Sequence, residues 1–225
     1  VLTVKFQNVN YKYNYIGEFI MELTEVNIKK AVIRSQHCQR NWDLTRRIPD
    51  ADLDTMVHAI TNCPSKQNTA FYNVYAITNR QIIENIHKNT EGFYHRDEDK
   101  IISNSQTLAN VLFVFTSNTE NSKRLSKKRT EFGDSNNSVN RDLHMATGIA
   151  AGYLNLTASL LGYSTGCCAC FEADEIQKTL NTQDEIILLM GVGFKSDINR
   201  RIHHADNSLT FPAIPKENIS VTHLS

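Results

Sequence analysis

Four short polar stretches carry the residue types that could do chemistry: "SQHCQRNW" at 35–42, "PSKQN" at 64–68, "STGCC" at 164–168 and "DINRR" at 197–201. Between them they offer the guanidinium groups of Arg40, Arg200 and Arg201, the hydroxyl and amides of Ser65, Gln67 and Asn68, and a glycine loop with exposed backbone. A guanidinium fork suits a phosphate because it makes paired, charge-assisted hydrogen bonds. Carboxamides suit a ring edge that carries donors and acceptors side by side. The inventory fits a phosphate-bearing heterocycle.

Covalent chemistry finds less support. The chain contains no G-x-x-x-x-G-K-[ST] loop, and the "GVGF" at 191–194 lacks the third glycine and helix of a dinucleotide fingerprint. His37 and Cys38 are neighbours, but adjacent residues on an extended chain point to opposite sides, which argues against a Cys–His pair. "GCCACF" (166–171) has no second Cys or His group at ligand spacing, and neither it nor His203-His204 is read as a metal site. Five cysteines in 225 residues do not form a disulfide framework and are expected to be small, buried, reduced thiols.

Each polar stretch is attached to the end of an element. "ELTEVNIKKAVI" (22–33) reads as a helix apolar on two sides, the mark of one packed between other elements. After the Pro-Asp start at 49–50, Leu53, Met56, Val57 and Ile60 form a full helical stripe, with His58 beside it as partly buried scaffold. "AFYNVYAIT" (70–78) predicts a strand, "RQIIENIHKNT" a helix, and the nearly all-apolar "LANVLFVFTS" (108–117) a strand buried on both faces. Residues 138–162 carry the longest helical signal, rich in Ala and Gly, and predict a core or dimer helix. "EADEIQKTL" follows as helix and "EIILLMGVGF" (185–194) as strand. This alternation predicts a mixed sheet covered by helices. Residues 118–140 read as a loop-like stretch with basic residues from Lys123 to Arg129, a candidate mobile cover that meets phosphate.

Composition sets the outer bounds. The length fits one large domain or one intertwined subunit of a dimer, with residues 1–21 as an extended arm and 22–225 as the folded unit. Lys plus Arg and Asp plus Glu are 24 each, so net charge gives no pull toward nucleic acid or membrane. No apolar run approaches the roughly 20 residues that span a bilayer, and the start lacks signal-peptide character; a cytoplasmic protein is expected.

Taken in order, the polar stretches resemble the nitroreductase family of flavin enzymes from about residue 22 to the end. "QHCQRNW" is similar to the family's basic-Ser-x-Arg-x-aromatic string, "CPSKQNTAFY" to its Pro-Ser-x-x-Asn loop, and "LGYSTGCCACF" to the turn after its small-residue helix. The string departs from the pattern: Gln36 takes the first basic position, for which Arg34 is the shifted alternative, and Cys38 takes the serine. The resemblance implies an α+β nitroreductase-like fold, with a mixed central sheet flanked by helices, in an intertwined homodimer. It implies FMN as cofactor, NADH or NADPH as donor, and a small-molecule acceptor such as a nitroaromatic or quinone. By the same resemblance Gln36, His37, Cys38 and Arg40 lie near the phosphate, ribityl chain or pyrimidine edge. Ser65, Gln67 and Asn68 contact the flavin, Thr165, Gly166 and Cys167 line the ring, and Arg200 and Arg201 clamp the phosphate. Each site draws loops from both subunits. A flavin-binding sensor or storage protein without turnover, a specialised flavin enzyme of the same family (a reductive dehalogenase or a flavin-destroying enzyme), and a nucleic-acid or acidic-partner binder at Lys123–Arg129 are the competing readings.

Overall fold

The computed structural model describes residues 25–95, 99–102, 104–131, 136–196 and 217–224. The expected arm at 1–21 and both Arg200 and Arg201 lie outside the described residues.

The core is a four-stranded sheet in the order β1 (Tyr72–Ile77), β4 (Val111–Ser117), β6 (Ile186–Gly193), β5 (Ser164–Cys168). Every described pairing in it is antiparallel, where the helix–strand alternation predicts a mixed sheet. β4 is buried along its whole length, as its unbroken apolar run demands. Its side chains alternate between two cores: Val111, Phe113 and Phe115 on one face, Leu112 and Val114 on the other. The first face is covered by α2 (Asp50–Thr61) and α5 (Asn136–Leu160), the second by α3 (Arg80–His87) and α6 (Ala173–Leu180). The α2 helix starts after Pro49, carries Asp50 and Asp52 in its first turn, and buries Met56 and Ile60. Each of those two side chains contributes about 1.5–3 kcal/mol by leaving water. His58, expected half-buried, is exposed on this helix and shares a hydrogen bond with Asn62.

Two segments differ from the sequence expectation. Most of 118–140 is helical: α4 spans Thr119–Glu131, and α5 begins at Asn136. The Asn118 side chain caps the first turn by accepting from Asn121 N–H, and Leu125 anchors the helix against Phe71, Val139 and Leu143. A single apolar anchor per three turns leaves almost no periodic signal. Residues 164–168, expected as an exposed glycine loop, form the edge strand β5 with all but one residue buried. A small hairpin, β2 (Phe93–His95) with β3 (Lys100–Ile102), was not signalled in the sequence.

α5 has two apolar faces. Ala150, Leu154 and Ala158 pack on the sheet, while Met145, Ile149, Tyr153 and Leu156 form an exposed stripe on the other side. Gly148 and Gly152 lie among them with open space where a Cβ would be. α1 (Glu25–Arg34) packs along α5, burying Ala31 but leaving Ile28, Val32 and Ile33 exposed.

Candidate functional site

The site begins with a pair of glycines. Gly166 of β5 stands opposite Gly191 of β6, and two other segments occupy the room their missing side chains leave. A Cβ on Gly191 would lie 2.2 Å from the Gln106 carbonyl oxygen, and one on Gly166 would lie 2.7 Å from that of Gln39. Gly191 of "GVG" therefore serves close backbone packing, and Gly193 makes room for the Asn110 side chain. The docked string is held further by Gln39 N–H donating to Thr165 O at 2.7 Å along the free edge of β5. Trp42 is buried, and its Nε1 donates to Ser105 O at 2.8 Å, while Ser105 Oγ donates to Arg40 O at 2.8 Å.

On this base the structure gathers Cys38, Arg40, Thr165, Gly166 and Cys167. Cys167 N–H donates to Cys38 Sγ at 3.4 Å. The Cys38 thiol is lowered to about 5, first by a hydrogen bond from the Cys167 side chain, against burial, with further help from the Cys167 backbone, the Arg40 guanidinium and Gln106. Cys167 is correspondingly pushed up, by the Cys38 hydrogen bond and by burial. Thr165 is buried, with its hydroxyl on the Asn155 amide oxygen. The side chains of Gln36 and His37 are exposed beside this cluster. The Nη1 of Arg34, the alternative to Gln36, donates to Ser159 O at 2.7 Å, near the carbonyl end of α5. Asn104 and Gln106 are site neighbours that the sequence did not reveal. They lie in "SNSQT", a polar run without periodicity, and only its docking on Gly191 brings it here.

Ser65, Gln67 and Asn68 form a second locus. Gln67 and Asn68 both adopt left-handed backbone conformations, closed by Thr69 N–H donating to Lys66 O at 3.2 Å. Such a conformation costs a non-glycine residue on the order of 1 kcal/mol, and here it turns both amide side chains outward. Ser65 Oγ is spent within the loop, donating to Thr69 O at 2.8 Å. Beside the loop a cavity of about 580 Å³ is lined by Asn62, Ser65, Asn68, Tyr72 and Asn73 among others.

α5 shows how far apart the two loci are. Asp142 takes the Lys66 ammonium at 3.0 Å, while Asn155, thirteen residues along, donates to Ser35 O at 3.3 Å. At 1.5 Å per residue that is about 20 Å, so one chain presents the two loci at opposite ends of the helix. The donors present suit a flavin mononucleotide: a guanidinium beside the docked string, and outward amides in the second loop.

Comparison with known proteins agrees with this architecture. The model of the nitroreductase family matches residues 33–194. A nitroreductase family protein of Clostridium novyi NT is similar in structure at TM-score 0.57 and 19% identity, over 74% of this chain and 84% of that one. A candidate NAD(P)H:FMN oxidoreductase of Staphylococcus epidermidis matches at TM-score 0.58 and 14% identity, over 82% and 92%. A nitroreductase-like protein of Exiguobacterium sibiricum in complex with FMN matches at TM-score 0.57 and 12% identity, over 82% and 91%. Among curated protein sequences nothing matches. The chain belongs to the nitroreductase family, and with it to the oxidoreductases.

Proposed function

We propose that the protein is an FMN-dependent enzyme that takes a hydride from NADH or NADPH and passes it to a small-molecule acceptor, a nitroaromatic or a quinone. We propose further that it works as an intertwined homodimer with each site shared between two chains. The observation that carries this reading is the placement of the two polar loci at opposite ends of α5, beside the uncovered stripe Met145, Ile149, Tyr153 and Leu156. A second copy packed on that stripe would bring one chain's 36–40 string toward the other's Ser65–Asn68 loop. Two further features support intertwining. Among the described residues β1 is an edge strand with one side unpaired in the sheet, and residues 217–224 run without regular structure with Ile219, Val221 and Leu224 exposed. An unpaired edge and a segment of irregular chain with exposed apolar side chains could supply the two halves of a strand-addition contact.

FMN, when bound, supplies the hydride acceptor and donor chemistry, and the protein supplies binding, orientation and exclusion of water. In this reading Arg40, with Arg200 and Arg201, holds the phosphate. Gln36, His37, Gln67 and Asn68 meet the polar edge of the ring system, and Cys38 and Cys167 border it. Thr165 and Gly166 set the height of the string on β5, and Ser65 closes the loop that presents Asn68. All five cysteines are free, which fits a reducing, cytoplasmic setting. No helix among the described residues is long and apolar enough to cross a membrane.

FMN added to the purified protein, followed by gel filtration and absorbance, tests the proposal. One FMN per chain co-eluting at the mass of a dimer is the expected result. A colourless protein that ignores added FMN would overturn the reading.

A further inference from the structure

Cys38 and Cys167 meet at the free edge of β5, and the flavin reading makes no use of their sulfur chemistry. An edge strand leaves outward N–H groups without a ladder partner. Here the Cys38 sulfur fills that place, accepting Cys167 N–H at 3.4 Å, and lies 3.9 Å from Cys167 O. The Cys38 sulfur therefore rests against the backbone of the very residue that carries the second thiol. Both residues are partly exposed, so a small solute can reach them. The neighbouring cysteines are arranged differently. Cys168 points to the opposite face of the strand, among Ile83, Ile86 and Ile176, with its sulfur accepting from Asn104 Nδ2 at 3.0 Å. Cys170 is exposed, and its carbonyl accepts from Cys168.

We infer that Cys38 and Cys167 form a peroxide-reactive dithiol, in which Cys38 attacks a hydroperoxide and Cys167 resolves the product as an intramolecular disulfide. The Cys38 thiolate attacks one peroxide oxygen, the O–O bond breaks, and the departing oxygen leaves as water or an alcohol after taking a proton. Cys38 is then a sulfenic acid, oxidised by two electrons that the peroxide has accepted. Cys167 sulfur attacks Cys38 sulfur, the S–S bond forms, the S–O bond breaks, and hydroxide leaves with the Cys167 proton as water. The net change is two thiols and one hydroperoxide to one disulfide, one alcohol or water, and one further water. The electrostatics match these roles: Cys38 is held as the anion at neutral pH, and Cys167 keeps its proton until it is needed.

The test uses the full chain without added FMN, so its outcome is separate from that of the flavin reading. The protein is treated with one equivalent of hydrogen peroxide at pH 6, and the thiols are mapped by peptide mass spectrometry. The expected result is loss of two thiols per chain, a Cys38–Cys167 linked peptide, and its reversal by dithiothreitol. A low-pKa thiolate is intrinsically less nucleophilic but fully ionised, so at pH 6 Cys38 should react about tenfold faster than an ordinary thiol. Its rate should change little between pH 6 and 8, whereas ordinary thiols slow about tenfold per unit of falling pH. Cys167→Ser should stop at a Cys38 sulfenic acid that dimedone traps, and Cys170→Ser should leave the disulfide intact. A linkage between Cys168 and Cys170, a disulfide between chains, or a rate with the pH dependence of an ordinary thiol would overturn the inference.

Discussion

Arg40 and Arg34 lie near each other in the chain but do different work. Arg34 spends its Nη1 on the Ser159 carbonyl, whereas Arg40 sits half-buried on the docked string with Cys38 and Ser105. A charge-assisted hydrogen bond contributes roughly 1.5–3 kcal/mol. Arg40→Ala should therefore weaken FMN about ten- to a hundredfold by fluorescence titration, while Arg34→Ala should lower Tm and leave FMN affinity close to wild type. Equal losses of affinity in both variants would contradict the assignment. Cys38 gives a second residue-scale prediction. Its folded-state thiol, at about 5, lies below the unfolded value of about 8.5, so it contributes stability that is fully present above the unfolded value. That contribution is lost as pH falls toward 5. The Tm difference between wild type and Cys38→Ser should grow as pH rises from 5 to about 8.5; a difference independent of pH would count against the thiolate. The chain's order of residues made this string recognisable. That Arg34 was already engaged was not legible, because its acceptor is a backbone carbonyl 125 residues away.

Elements with a strong period were legible and the others were not. α2, β4 and α5 announce themselves because apolar residues recur at helical or strand spacing in "DLDTMVHAI", "VLFVFTS" and the Ala/Gly-rich run. β5 does not: its five residues include Ser and Gly and carry no large apolar side chain, and its burial comes from Gln106 and Gln39, far away in the chain. α4 was masked by its polarity, with Lys123, Arg124, Lys127 and Lys128 exposed and Leu125 the one anchor named in its core. The glycine pairing yields a sharp prediction at this scale. In Gly191→Ala the new Cβ would meet backbone, not a flexible side chain, so the 105–109 segment must move. Overpacking of this kind costs about 1–3 kcal/mol, read as a lower urea midpoint. Because Gln106 and Ser105 support the string, FMN binding should fall with it. A variant of unchanged stability would show that the two segments do not rest on each other as described.

For the whole molecule, the function proposed above takes the single chain as half of a flavin site. Its two polar loci are about 20 Å apart along α5, and the face between them is apolar and bare. Ile149→Asp places a charge in the middle of that stripe, and burying an unpaired carboxylate is costly. The variant should elute as a monomer and lose FMN together with the dimer, a linkage checked by light scattering alongside absorbance. A monomer that still holds one FMN would place the whole site within one chain. The fold class and the family order of the loops were legible at this scale because they follow from the pattern of elements along the chain. The placement of the two polar stretches at opposite ends of one helix was not, since it depends on how Lys66 and Ser35 fall on α5. The central claim is that this chain moves a hydride through bound flavin, and anaerobic titration of the FMN-loaded protein with NADH or NADPH tests it most directly. The account predicts that the flavin absorption band bleaches with one equivalent of donor per FMN and returns when a quinone is added. A flavin that stays oxidised under excess of both donors would contradict it.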